Sequence, residues 1–261
     1  MSRTCVAASM LLFVSSAASA GEKQNEQPAS PADRYEALVK EYEEIRRPRQ
    51  FAPKFLEFAE QNSQSPFAVD ALVWVVVNLR YRPEATRALE LLEKGHLESE
   101  QLAAFCRHVA RTASPAGERL LRAALEKSPH ASVQSQACFY LAALLEQQAS
   151  LADQLKKQPD LKKRAQQYYG KELSDHLASL DRGNVEKQRE ELYELMLKSF
   201  PYVPTQDDTM GEYAEKALFA IRHLSVGKVA PQIDGEDIHG KSFKLSDYRG
   251  KVIMLSFWGH W

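Results

Sequence analysis

Cysteine is the scarcest chemically useful residue in this chain. Three occur in 261 residues: Cys5, Cys106 and Cys138. Their spacing matches no Cys-x-x-Cys pair and no zinc site. None of the histidines before His260 stands at a useful spacing from a second ligand, so no metal and no other cofactor is expected. A dominant charge is missing too. Lys and Arg number 34 against 35 Asp and Glu, a formal net charge of −1, which leaves no global pull toward nucleic acid or anionic lipid. Long apolar runs are also absent. A membrane helix needs about 20 apolar residues in a row; the run at 5–14 is too short, and 73–77 reads as a buried-helix segment. Glycine is thin between 34 and 223, with five in that stretch, mostly where a helix could stop. Apolar residues make up 44% of the chain, enough for a real core.

The first 20 residues read as a secretory signal peptide. Arg3 gives the positive start, 5–14 the apolar stretch, and Ala18-Ser19-Ala20 the small-x-small rule for cleavage between Ala20 and Gly21. An uncleaved N-terminal anchor is the alternative. The expectation is an exported protein of the periplasm or cell envelope, with no integral membrane segment once the signal is removed. Residues 21–33 form a polar, Pro- and Ser-containing linker. Cys5 leaves with the signal. Cys106 and Cys138 lie among apolar neighbours on expected helices and read as small core residues. A structural disulfide in an oxidising compartment is the other reading.

From 34 to 223 the pattern is helical almost throughout. Helices are expected at 34–46, 51–62, 67–80, 84–94, 98–111, 116–127, 132–156, 161–181, 185–200 and 208–223. Breaks fall at Pro48, Pro66, Pro83, Gly95, Pro115, Pro129, Pro159, Gly183 and Pro201. Phe55-Leu56-Glu57-Phe58-Ala59-Glu60 is echoed by Leu121-Arg122-Ala123-Ala124-Leu125-Glu126, with Ala88-Leu89-Glu90-Leu91-Leu92-Glu93 halfway between. The implied period of about 33 residues is close to that of tetratricopeptide helical hairpins. The Trp-x-x-Leu-Gly-x-x-Tyr start of such units is absent, so the array is tetratricopeptide-like at most and a plain helical bundle is the alternative. Lys156, Lys157, Lys162, Lys163 and Arg164 form a basic cluster flanked by Asp153, Asp160 and Glu172. It reads as a solvated helix face, with a polyanion site as the alternative.

The composition changes at Leu224. Glycine becomes frequent, and strand-like runs appear at 232–233, 242–245 and 252–257, with turns at Gly235-Glu236-Asp237 and His239-Gly240-Lys241. Val226-Gly227-Lys228-Val229-Ala230-Pro231 leads to Asp237-Ile238-His239-Gly240-Lys241. Leu245-Ser246-Asp247-Tyr248-Arg249-Gly250-Lys251 follows, then an apolar run and Phe257-Trp258-Gly259-His260-Trp261. This order resembles the opening of the redoxin branch of the thioredoxin-like superfamily, the alkyl hydroperoxide reductase–thiol-specific antioxidant type. The match covers about 36 residues, in the order and at the spacing usual there. The absence of proline and threonine after the apolar run makes it resemble the disulfide oxidoreductases more than the peroxiredoxins.

The resemblance implies an α/β thioredoxin-like domain at 224–261 joined to a mainly α region at 34–223. It also implies thiol–disulfide exchange on disulfide-containing proteins or small thiols. Trp258, Gly259, His260 and Trp261 would flank the active site, with the tryptophans packed beneath it and His260 tuning the nucleophile; a solvent-facing turn residue is the plainer reading of His260. The family's reactive cysteine would come immediately after Trp261, so the chain is expected to be a fragment without its redox pair and inactive as such. Two other functions remain open: a helical protein-interaction module with a vestigial redoxin tail, which would bind a protein partner, and a thiol peroxidase. No nucleic-acid partner is expected. The missing cysteine has three explanations: a recoded selenocysteine codon, an ordinary frameshift or break, and a non-catalytic protein with a vestigial tail. The first predicts UGA after Trp261 and an in-frame cysteine codon three positions on; sequencing the gene and finding UAA or UAG there would rule it out.

Overall fold

Proline starts most of the helices. The structure, a computed structural model, describes residues 29–256, 258 and 259. Among them are ten α-helices: α1 (Pro31–Ile45), α2 (Pro48–Gln61), α3 (Pro66–Leu79), α4 (Pro83–Gly95), α5 (Leu102–Ala110), α6 (Pro115–Lys127), α7 (Ala131–Lys157), α8 (Pro159–Ser179), α9 (Arg182–Ser199) and α10 (Met210–Phe219). Pro48, Pro66, Pro83, Pro115 and Pro159, read above as breaks, are each the first residue of the next helix. The fixed φ of proline suits that position, and its missing N–H has no intrahelical partner to lose there. Ser30, Ser65, Ser114 and Thr209 cap α1, α3, α6 and α10 by accepting a backbone N–H.

The protein is mainly helical, and its helices pack on both near and next-but-one neighbours in the chain. α2 lies against α3, α3 against α4, α4 against α6, and α5 and α6 against α7, which in turn holds α9. One apolar core runs through them. Phe55, Leu72, Leu89, Leu92, Leu121, Leu141 and Leu144 are sealed from water, with alanines such as Ala68, Ala88 and Ala137 at the close approaches. Burying one Leu or Phe side chain is worth about 1.5–3 kcal/mol. Within 73–77, Val73, Val75 and Val76 are buried as expected, Trp74 is partly buried and Val77 is half exposed. Phe55 stacks on Trp74 with ring centroids 3.9 Å apart, and Tyr42 meets the same indole edge-on at 4.7 Å. α1 buries no residue completely and is held by such aromatic contacts.

Helix α8 departs from its expectation of one continuous helix. It breaks at Gly170, where φ is +80° and ψ 168°, a conformation that glycine adopts without a Cβ penalty. The break turns Tyr169 onto Tyr81, edge to face at 5.2 Å. A second, smaller apolar cluster of Ala152, Leu155, Ala165, Leu173 and Leu177 closes α7 on α8. In the basic cluster Lys156, Lys157, Lys163 and Arg164 face solvent, and the Lys163–Asp160 pair is loose at 3.9 Å.

Helix α10 passes into a π-helical turn (Ala220–Leu224). After Leu218 no described residue is buried. Two short strands follow, β1 (Asp234–Glu236) and β2 (Ser242–Lys244), paired antiparallel with Gly235 opposite Phe243. β1 thus takes up Gly235 and Glu236, which the sequence reading put in a turn, and lies just beyond the expected strand at 232–233. The expected strand at 252–257 does not form over its described residues. Val252 and Met254 are almost fully exposed. A strand needs a neighbour to take its N–H and C=O groups, and none lies alongside among the described residues.

The Phe55–Trp74 stack gives a direct test of this packing. Phe55→Ala should destabilise the helical region by about 3–5 kcal/mol in denaturant titration and weaken the near-UV circular dichroism of Trp74. Phe55→Leu should cost far less.

Candidate functional site

The segment that carries the redoxin resemblance is organised by its own short-range hydrogen bonds. The Asp237 carboxylate accepts the N–H of His239 (2.8 Å) and of Lys241 (3.0 Å), while its backbone exchanges bonds with Lys241 and Gly240. Gly240 closes the turn at φ +76°, a region a Cβ disfavours. The Asp-x-x-Gly-Lys pattern is therefore a turn between two strands, with Asp237 as its internal acceptor. The Phe243 ring lies against Gly235, where an added Cβ would come within 3.1 Å of it. Asp247 accepts the N–H of Lys244 (3.0 Å) and caps the 3-10 turn Leu245–Tyr248. Ile233 O accepts from Leu245 N, and the Gln232 amide oxygen accepts from Ser246 N. Every one of these partners is a residue of the tail itself.

Of the expected flanking residues, Trp258 is 86% exposed and Gly259 is exposed as well. His260 and Trp261 lie outside the described residues, as do Ala20 and Gly21 of the expected cleavage site and Cys5. Among the described residues no group of three or more His, Cys, Asp or Glu converges as a metal site would require. No helix is long and apolar enough to cross a membrane among them.

The two described thiols are core residues. Cys106 and Cys138 are both free and buried. Cys106 Sγ donates to the Leu102 carbonyl at 3.2 Å, one turn back on its own helix. Cys138 Sγ points at the Leu192 carbonyl of α9 at 3.5 Å. Burial pushes each thiol up to about 12, the reverse of the depressed value that a reactive cysteine has.

Sequence reasoning passed over one feature of the helical region. An open cleft of about 750 Å³ lies between α5, α7 and the end of α9, with Arg107, Gln136, Tyr140 and Phe200 among its walls. No motif signals it, because its residues come from three elements whose meeting depends on the packing of α7.

Against known proteins the likeness is partial. A stretch of 38 residues is 45% identical to the thiol-disulfide oxidoreductase ResA of Geobacillus thermodenitrificans, covering 15% of this chain and 22% of that protein. The thiol-disulfide oxidoreductase ResA of Geobacillus kaustophilus is 47% identical over 38 residues. That of Bacillus subtilis is 42% identical over 53 residues, 20% of this chain and 30% of its own length. The chain spans roughly a fifth to a third of the curated relatives it matches. No family model matches it, and no solved structure does.

Buried, protonated thiols have measurable consequences. Dithiobisnitrobenzoate at pH 8 should leave Cys106 and Cys138 unmodified in the native chain and label both in denaturant. Because folding raises each thiol from its ordinary 9.0, the unfolded chain releases these protons first as pH climbs. Stability should therefore fall between about pH 9 and 12, less steeply in Cys106→Ala than in the parent. Fast labelling of Cys106 or Cys138 in the native protein would contradict the assignment.

Proposed function

We propose that residues 224–261 are the opening of a thioredoxin-like domain whose function is thiol–disulfide exchange. The helical array at 34–223 would then be a tetratricopeptide-like module, on a chain that residues 1–20 direct to the periplasm or cell envelope. One observation carries this reading. The Gly-x-x-Ala-Pro, Asp-x-x-Gly-Lys, Leu-x-Asp-x-x-Gly-Lys and Phe-Trp-x-x-Trp elements occur in this order between Gly227 and Trp261, and a stretch of 38 residues of the chain matches the Geobacillus oxidoreductases. The closure of Asp237 on its own turn and the cap by Asp247 support it, since both give the recurring aspartates a local structural task.

In this reading the redox pair belongs directly after Trp261, as cysteine or selenocysteine followed by a resolving cysteine. A nucleophile there would stand at a helix start, where free N–H groups and the helix dipole favour the anion. It would attack one sulfur of a substrate disulfide and expel the other as thiolate. The second cysteine would then attack the mixed disulfide, releasing the substrate reduced and leaving the pair oxidised. Trp258 and Trp261 would pack beneath the pair, and His260 would bias its charge. Disulfide-containing proteins or small thiols are the substrates this chemistry takes.

Insulin reduction tests the proposal in two arms. The 261-residue chain alone should give no turnover; turnover abolished by Cys106→Ala or Cys138→Ala would overturn the site assignment. A chimera that continues this chain after Trp261 with the matching remainder of a Geobacillus ResA should reduce insulin. The same chimera without residues 224–261 should not. Failure of the complete chimera, with the donor protein active under the same conditions, would count against 224–261 as a redoxin opening.

A further inference from the structure

The near-zero net charge of the chain conceals a one-sided distribution. The helices of the first half alternate in direction, so their connecting turns fall on two opposite edges. One edge gathers the turns α1–α2, α3–α4 and α5–α6. They are tied together by Tyr42 of α1, which packs on Trp74 and lies 3.5 Å from the Asn78 amide oxygen of α3. Arg80, Arg82 and the Ser114-Pro115 start of α6 line one shallow cavity. His108 of α5 is near enough to Arg107, Arg111 and Arg80 that, after burial, their charges hold it below its usual value. On this edge stand Arg46, Arg47, Arg49, Arg80, Arg82 and Arg111. The opposite edge carries the turns at 62–65, 96–101 and 128–130, which contain no lysine or arginine and include Glu98 and Glu100.

Three features mark the arginines as more than a solvated surface. First, none of the six forms an ion pair among the described residues, although thirteen ion pairs occur elsewhere on the surface. Glu43 and Glu44 of α1, Glu84 of α4 and Glu172 beside the cavity are the nearby acids, and they leave the edge positive. Second, several arginines hold positions where another residue would suit the fold better. Arg47 and Arg82 are the N-caps of α2 and α4 and make no capping bond. Ser, Thr or Asp is preferred there, and a cation opposes the helix dipole. Arg46 has a left-handed backbone, φ 50°, where glycine or asparagine is at ease. Third, arginine and lysine are equally numerous in the whole chain, yet the basic residues at these three turns are all arginine, with Lys171 of α8 beside them at the cavity. The planar fork of arginine binds phosphate in two-point fashion, which an ammonium cannot do.

Ile45 and Val77, each 46% exposed, stand beside these arginines at the last turns of α1 and α3. Arginines interleaved with exposed aliphatic side chains are what a bilayer headgroup region accommodates. A purely acidic polypeptide would give the aliphatic pair nothing to enter. We propose that this arginine edge docks the protein on an anionic phospholipid surface, through lipid phosphates.

The full chain is compared with a triple variant, Arg47→Ser, Arg49→Gln and Arg82→Ser, in co-sedimentation with phosphatidylcholine vesicles, with and without 30% phosphatidylglycerol, at low and high salt. Residues 1–28 are common to both proteins and cancel in the comparison. The parent should partition onto the anionic vesicles at least tenfold more strongly than the variant, with the difference lost at high salt and absent on pure phosphatidylcholine. The variant should melt at the same or a higher temperature, because serine can cap both helices. Equal partition of the two proteins onto anionic vesicles would overturn the proposal. So would capture of the parent by poly-L-glutamate together with equal vesicle binding by parent and variant, which would instead identify the edge as a site for acidic protein.

Discussion

Helix α7 is the element against which α5, α6, α8 and α9 are assembled. Twelve of its residues are buried, from Val133 to Leu155. A face that long and that apolar can leave water only if helices from both sides close over it. The closure is finished by polar contacts that depend on it. Gln148, fully buried in α7, donates its amide to the Ala113 carbonyl and to Glu118, which meets the requirement that a buried amide be hydrogen-bonded. That bond in turn ties α7 to the α5–α6 turn, where Thr112 and Ser114 share a short hydroxyl contact and Ser114 caps α6.

The tail is held by a different kind of interaction. Its hydrogen bonds run between residues at most 14 apart, and it buries nothing completely. A two-stranded hairpin of this size is marginal by itself. Its conformation follows from turn chemistry at Asp237, Gly240 and Asp247, residues that fix a backbone path without needing a core. This contrast separates the two kinds of cysteine chemistry in question. The thiols that the structure contains are in the core and protonated, where they pack. The chemistry that the tail resembles needs a thiolate at a helix start, an environment of opposite character.

Charge shows how a whole-chain quantity hides a local one. A net charge of −1 gave no reason to expect an anionic partner. Because the helices alternate in direction, however, side chains at odd-numbered turns share one edge. Arginines that are scattered along the chain at 46–49, 80–82 and 111 become neighbours there. The basic cluster at 156–164, which did stand out as a run, has Lys156, Lys157, Lys163 and Arg164 exposed. Proximity along the chain was the wrong guide to proximity in space.

The helical pattern was legible because it rests on local rules: apolar period, proline and serine at helix starts, few glycines. The same rules pointed to Val73, Val75, Val76 and the two cysteines as core, and they misjudged Val77, which is half exposed. They misplaced the role of the prolines, since a residue that cannot continue a helix is also well suited to begin one. The tail was legible in its turns, where Asp and Gly act on their own backbone, and illegible in its strands. Whether 252–256 pairs depends on neighbours, which no residue of that run can specify. What the sequence by itself determined was thus the elements and the short motifs, because hydrogen bonds within a few residues decide them. Only the tertiary structure decided which helix faces meet on α7, that both thiols are sealed from water, and that six distant arginines line one edge, because each of these follows from packing between segments far apart in the chain.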